Sequence, residues 1–235
     1  MDKIKTALEK KEKYWITFVG DSITSTEWVH PNWREIVEYV LKNELSKVMS
    51  DWKKPSWGIR CFNWGLDGST STDIVERFVE ITQMKPDLMI VMIGANDPPL
   101  GVDIPTHQKN IEKIIEEAKD KNIELALCTN NNPWNEESSN QYRPYAEADR
   151  EISGTKLVDM FKESENFPKE RIYTFVSEAD IPEENIKKGD KDFWHPNQLG
   201  NAYIAQVILK EIFGIEFDPE KYTETNTAGY KYPEY

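Results

Sequence analysis

The chain has 235 residues, a formal charge of −13, 38% hydrophobic residues and 30% charged ones. Such acidity excludes the basic face that nucleic acid or anionic lipid would require. No apolar run reaches the roughly 18 residues of a membrane span. The two cysteines, Cys61 and Cys128, are too few for a disulfide framework and read as buried free thiols.

Eight tryptophans, ten tyrosines and nine phenylalanines supply area for an ordinary core, and the length suits a single domain over residues 1–235. Residues 2–12 carry Ile4 and Leu8 four apart among lysines, a short amphipathic surface helix. The first 14 residues lack the apolar stretch of a secretory signal, so the expected location is cytoplasmic, a trimmed secreted protein being the other reading. Residues 15–19 form a first strand that stops at Gly20-Asp21-Ser22. Residues 33–49 have helical apolar spacing, and 58–63 read as a second strand. A glycine-punctuated turn follows, with Ser71 or Thr72 capping a helix over 73–81. Residues 88–93 are an apolar run of the kind buried on both faces of a parallel sheet. A helix over 106–119, a strand over 123–128, a polar loop over 130–140, a helix over 142–152 and a fifth strand over 156–160 complete the alternation. Residues 171–176 read as a small strand or a lid piece, and 197–213 as the closing helix, with 15–213 as the core. The polar tail, 218–235, holds four tyrosines and is expected to wrap the surface. Strand and helix in alternation predict an α/β fold, a parallel sheet with helices on both faces.

Candidate chemistry gathers where strands end, because ligands of open α/β sheets bind beyond the carboxyl ends of the strands. Ser22 stands there as a nucleophile, given a base and an orienting carboxylate. Only three histidines exist. His107 lies in the first turn of an amphipathic helix and reads as a surface residue. His30, in the loop after Ser22, is placed to line a pocket. His195 follows Asp192 by three, a spacing at which the carboxylate folds back on the imidazole and fixes its tautomer. Each motif alone has a merely structural reading: a surface cap for Asp-x-x-His, a plain turn at Gly65, a capping loop at residues 94–97. Together they would meet on one rim. That rim has the parts for acyl transfer: Ser22 to attack, His195 as base, and donors for the oxyanion from the Ser22 and Gly65 N–H groups and the Asn96 amide.

These blocks resemble the SGNH, or GDSL-like, hydrolase family. The matching residues are Gly20-Asp21-Ser22, Asn63-x-Gly65-x-x-Gly68, Gly94-x-Asn96-Asp97 and Asp192-x-x-His195, in order over residues 15–213. The resemblance implies a three-layer, flavodoxin-like sheet of five parallel strands. It also implies a triad of Ser22, His195 and Asp192, and an oxyanion hole of Ser22, Gly65 and Asn96. Asp21 and Asp97 are then loop-holding residues. The expected activity is hydrolysis of carboxylic esters through an acyl-enzyme, with no metal or cofactor. Trp28, Trp64, Trp134 and Trp194 lie in or beside these loops and suit stacking on sugar faces, with a core role an equal reading for two of them. The expected partner is therefore a small-molecule or glycan ester, and deacetylation of a carbohydrate or glycoside is the leading reading. Lysophospholipid or thioester hydrolysis is one alternative. A non-catalytic ligand-binding protein on the same scaffold is the other, although the first loop lacks a Gly-rich phosphate cradle. Oligomeric state is not legible.

Overall fold

A computed structural model describes residues 1–182 and 186–235. Its elements run α1 (Asp2–Glu9), β1 (Tyr14–Gly20), α2 (Trp33–Met49), α3 (Lys53–Gly58), β2 (Ile59–Gly65), α4 (Ser71–Glu76), α5 (Phe78–Ile81), β3 (Leu88–Met92) and α6 (Ile104–Asp120). They continue with β4 (Glu124–Cys128), α7 (Glu136–Glu151), β5 (Lys156–Val158), α8 (Met160–Glu163), α9 (Lys169–Ile172), α10 (Gln198–Ile208) and α11 (Pro219–Thr227). The strand order is β2-β1-β3-β4-β5 and every adjacent pair is parallel. This is the flavodoxin-like order, in which the connections switch direction between β1 and β3.

The strand residues alternate between two cores, as a two-residue side-chain period requires. Leu88, Ile90 and Met92 of β3 face one side, with Ile16, Phe18, α2 and α10. Met89 and Val91 face the other, with Val19, Ile74, Phe78 and the α6 residues Ile111 and Ile114. All five β3 residues are buried, which accounts for the unbroken apolar run in the sequence. No helix of the described residues is long and apolar enough to cross a membrane.

The departures from expectation lie at element ends. The cap of α4 is Thr70, in a reciprocal capping box with Asp73, and the helix breaks at Arg77 into two short pieces. Helix α7 begins at Glu136, inside the stretch read as a loop, because Asn135 accepts the Ser138 N–H and two glutamates occupy the first turn. The closing helix passes into a π-type turn over Leu209–Phe213. The 171–176 segment is not a strand. Helix α9 ends at Ile172, and Val176 makes one antiparallel bridge to Lys191. The tail forms α11 and then lies on α2, where the Tyr235 hydroxyl meets Asn43 and Glu44.

Candidate active site

Strand β1 ends at Gly20 and the chain turns at once. The Asp21 carbonyl accepts the N–H groups of Thr24 and Ser25, while Asp21 Oδ1 accepts that of Ile23 at 3.0 Å. This single turn lifts Ser22 over the carboxyl end of the sheet. Asp21 itself is fully buried, and burial pushes its carboxyl up to about 6 against the opposing pull of the Ile23 N–H and the His195 charge. It supports the loop and does not open into the cleft.

The segment before α10 brings the other two groups. Asp192 Oδ1 accepts the N–H groups of Trp194 at 2.8 Å and His195 at 3.0 Å, folding the chain back on itself. Asp192 Oδ2 then lies 2.6 Å from His195 Nδ1, and His195 Nε2 lies 2.9 Å from Ser22 Oγ. With its Nδ1–H given to the carboxylate, the imidazole presents an Nε2 lone pair to the serine hydroxyl. Burial would raise the Asp192 carboxyl, but the hydrogen bond to His195, the His195 charge and the two backbone donors outweigh it and hold the group below the usual carboxylate range. Asn197 caps α10 through the Gly200 N–H, and Asn201 Oδ1 accepts the Trp33 N–H at 3.0 Å, which ties this segment to α2.

Ser22 and Gly68 both line the cleft. Among the described residues, the N–H groups of Ser22 and Gly68 make no hydrogen bond within the protein. Gly68 lines the cleft with φ +74°, a conformation that favours glycine. Here the structure corrects the expectation for Gly65. Its N–H is taken by Asn63 Oδ1 at 2.9 Å, it does not line the cleft, and a Cβ at that position would collide with the backbone of Ser25. Gly65 is a close-packing residue. Gly68, the second glycine of the same block, lines the cleft in its place. Asn96 does line the cleft, and its Nδ2 donates to the Ser69 carbonyl at 3.0 Å. That bond uses one of two amide hydrogens and fixes the direction of the other.

The cleft holds about 320 Å³ and is walled by Ser22, Trp28, Asn130, Asn131, Gln141, Tyr142, Trp194 and His195. Of the four tryptophans proposed for substrate, only Trp28 and Trp194 border it. Trp194 packs on Tyr142 at 4.9 Å between ring centroids. Trp64 lies outside, under the Arg77 guanidinium and against the second core. Trp134 is packed between Tyr173 and Phe193 with the Lys191 ammonium 3.7 Å from its ring. Neither lines the cleft, which departs from the substrate-stacking expectation for these two and leaves them as packing residues. His30 is exposed beside Glu35 at 3.0 Å and borders an open groove on the far side of Trp28. Among the cleft residues missed from the sequence, Asn130 and Asn131 were hidden in a run of three asparagines that reads equally as polar loop.

A model of the GDSL-like Lipase/Acylhydrolase family matches residues 18–203. The chain belongs to that family and is a carboxylic ester hydrolase. No curated protein matches it. Solved structures share the fold at low identity. A catalytic mutant of an acetylxylan esterase from Geobacillus stearothermophilus is 20% identical, with a TM-score of 0.63, over 88% of this chain and 96% of that one. A lipase/acylhydrolase from Enterococcus faecalis is 20% identical, with a TM-score of 0.61, over 86% and 96%. The acetyl xylan esterase AlAXEase is 21% identical, with a TM-score of 0.57, over 85% and 100%.

Behind the Asn96 loop lies a group that the sequence reading put on the surface. His107 is fully buried, with Nδ1 2.7 Å from Asp97 Oδ2 and Nε2 3.0 Å from Asp149 Oδ1. Its helix presents that face to the sheet end, and two carboxylates from α7 and the β3 loop converge on it. Asp97 Oδ1 also accepts the Ser71 N–H at 2.8 Å, so the cluster joins three elements. Burial alone would lower the His107 imidazole, but the bonds from Asp149 and Asp97 outweigh it and raise it to about 9. A folded-state value above the ordinary 6.5 means stability fully present below 6.5 and lost as pH rises through about 9. Chemical denaturation should show this loss in the wild type and not in His107→Gln. That variant, which strands two buried acids, should be about 3–5 kcal/mol less stable at pH 7. Equal stabilities at pH 7 would contradict the ion-cluster assignment.

Proposed function

From that acylhydrolase membership, we propose that the protein is a serine esterase acting through Ser22, His195 and Asp192, and that its substrate is an acetylated carbohydrate. The observation that carries the reading is the unbroken chain Ser22 Oγ to His195 Nε2, 2.9 Å, and His195 Nδ1 to Asp192 Oδ2, 2.6 Å, open to the cleft at the serine end. Ser22 Oγ attacks the ester carbonyl carbon as its proton passes to His195 Nε2, and the imidazolium is held by the ionised Asp192. The carbonyl oxygen takes up the negative charge between the N–H groups of Ser22 and Gly68 and the free Asn96 amide hydrogen. Collapse breaks the bond to the alcohol oxygen, which receives the proton from Nε2. Water, deprotonated by His195, then releases the acyl group and restores Ser22.

The carbohydrate part of the reading rests on the walls. Three carboxamides, Asn130, Asn131 and Gln141, stand among the aromatic faces of Trp194 and Tyr142 in a cleft of about 320 Å³. Hydroxyl groups find partners there and a sugar finds flat apolar faces, whereas a long acyl chain would strand the carboxamides. Acetylxylan esterases among the proteins of similar fold agree with this.

Ser22→Ala should abolish hydrolysis of p-nitrophenyl acetate and of acetylated xylooligosaccharides alike, with an unchanged melting temperature. Turnover near the wild-type rate would remove Ser22 as nucleophile. Wild-type kcat/KM should fall steeply from acetyl to long-chain p-nitrophenyl esters, and the opposite order would favour a lipid substrate.

Asn96→Ala should lower kcat by about a hundredfold to a thousandfold while KM changes little, because the donor strengthens as charge builds on the oxygen. Asn96→Asp should be at least as damaging, since a carboxylate repels that charge. An active Asn96→Asp enzyme would reduce Asn96 to a loop-holding residue.

A further inference from the structure

Trp28 has no step in that mechanism, yet it makes the closest ring contact on the rim. Its indole lies flat on the His195 imidazole, with ring centroids 3.8 Å apart and planes inclined by 4°. The indole is itself anchored. Its Nε1–H donates to Asp67 Oδ2 at 3.1 Å, and Asp67 Oδ1 accepts the Ser25 hydroxyl at 2.6 Å. Ser25 belongs to the same turn as Ser22, so the anchor and the nucleophile move as one piece. Trp28 remains 48% exposed. Its inner face is spent on His195 and is closed to a sugar.

We propose that Trp28 is a positioning residue for His195, holding the ring plane between Ser22 and Asp192 and stabilising the imidazolium formed when the serine proton arrives. This rests on the Ser22–His195 reading above. Two in-plane hydrogen bonds leave an imidazole free to rock about their common line, and a parallel ring against one face removes that freedom. A cation against an indole face is attracted by the ring's quadrupole, most strongly where water is excluded. The Asp67 carboxylate at the indole N–H adds electron density to that face. The ionisable groups facing His195 are Ser22, Asp192 and the buried Asp21, with Asp67 beyond the indole. The stack therefore acts selectively on the state in which His195 carries the proton, which is the state on the way to the acyl-enzyme.

The test uses p-nitrophenyl acetate, which has no sugar to stack, on the intact enzyme with Trp28→Met and Trp28→Phe, beside Ser22→Ala. Trp28→Met keeps apolar bulk and loses the π face. Its kcat should fall about fivefold to thirtyfold, with KM within about twofold; this is about 1–2 kcal/mol at about 1.36 kcal/mol per decade. The acid limb of its kcat/KM profile should lie at lower pH than that of the wild type. Trp28→Phe keeps a ring over His195 and should stay within about threefold of the wild type. If the methionine variant melts below the assay temperature, Trp28→Leu carries the same expectation. A methionine or leucine variant with wild-type kcat and pH profile overturns the proposal, as does a loss confined to KM for acetylated sugars, which would make Trp28 a substrate platform. Turnover by Ser22→Ala would instead remove the reading beneath it.

Discussion

Strand β1 pairs on both sides in a register that sets Gly20 opposite Gly65 of β2 and Met92 of β3. Three strands thus stop at one level, and the loops carrying Ser22, Gly68 and Asn96 start from a common line. The register tolerates nothing larger than glycine. A Cβ on Gly20 would strike the Met92 carbonyl and Thr24, and one on Gly65 would strike the backbone of Ser25. The absence of a Cβ at both positions lets the Ser22 turn settle between its neighbours. The segment from β5 to α10 completes the arrangement by returning His195 to the same rim.

This rim forms in an acidic protein, and the acids near it are treated differently. Three donors hold the Asp192 carboxyl below the usual carboxylate range. Asp21 is driven upward by burial. Asp97 and Asp149 each accept one N–H of the protonated His107 ring. A chain of net charge −13 offers no general field to stabilise an oxyanion, so the stabilisation must come from dipoles at hydrogen-bond range. The N–H groups of Ser22 and Gly68 and the amide of Asn96 are the dipoles proposed for that role. The indole on His195 extends the same logic to the transient positive charge.

The sheet was legible because its strands are apolar runs and its helices carry clear spacing, as residues 88–93 and 106–119 illustrate. What escaped were features set by contacts distant in sequence. His107 sits in a first turn, where exposure is the ordinary expectation. Only the convergence of Asp97 and Asp149 shows why it is buried. Gly65 and Gly68 share one motif, and the sequence does not reveal that Asn63 consumes the N–H of the first. Trp28 could be read only as an aromatic near the nucleophile, since its stack depends on a histidine 167 positions further along. The start of α7 was masked by polar residues that cap as well as they loop. The blocks containing Ser22, Asn96, Asp192 and His195 were legible because each follows a strand or precedes α10, and the fold brings Ser22, Asn96 and His195 to one cleft with Asp192 behind the imidazole.

In the proposed reaction Ser22 carries the acyl group. Mixing the enzyme with excess p-nitrophenyl acetate, quenching in acid during turnover and mapping the digested peptides by mass spectrometry reads this directly. The expected result is a single acetyl adduct on Ser22, accumulating in a burst with the first equivalent of p-nitrophenol and absent after the ester is exhausted. An adduct on another residue, or a burst with Ser22 unmodified, would contradict it.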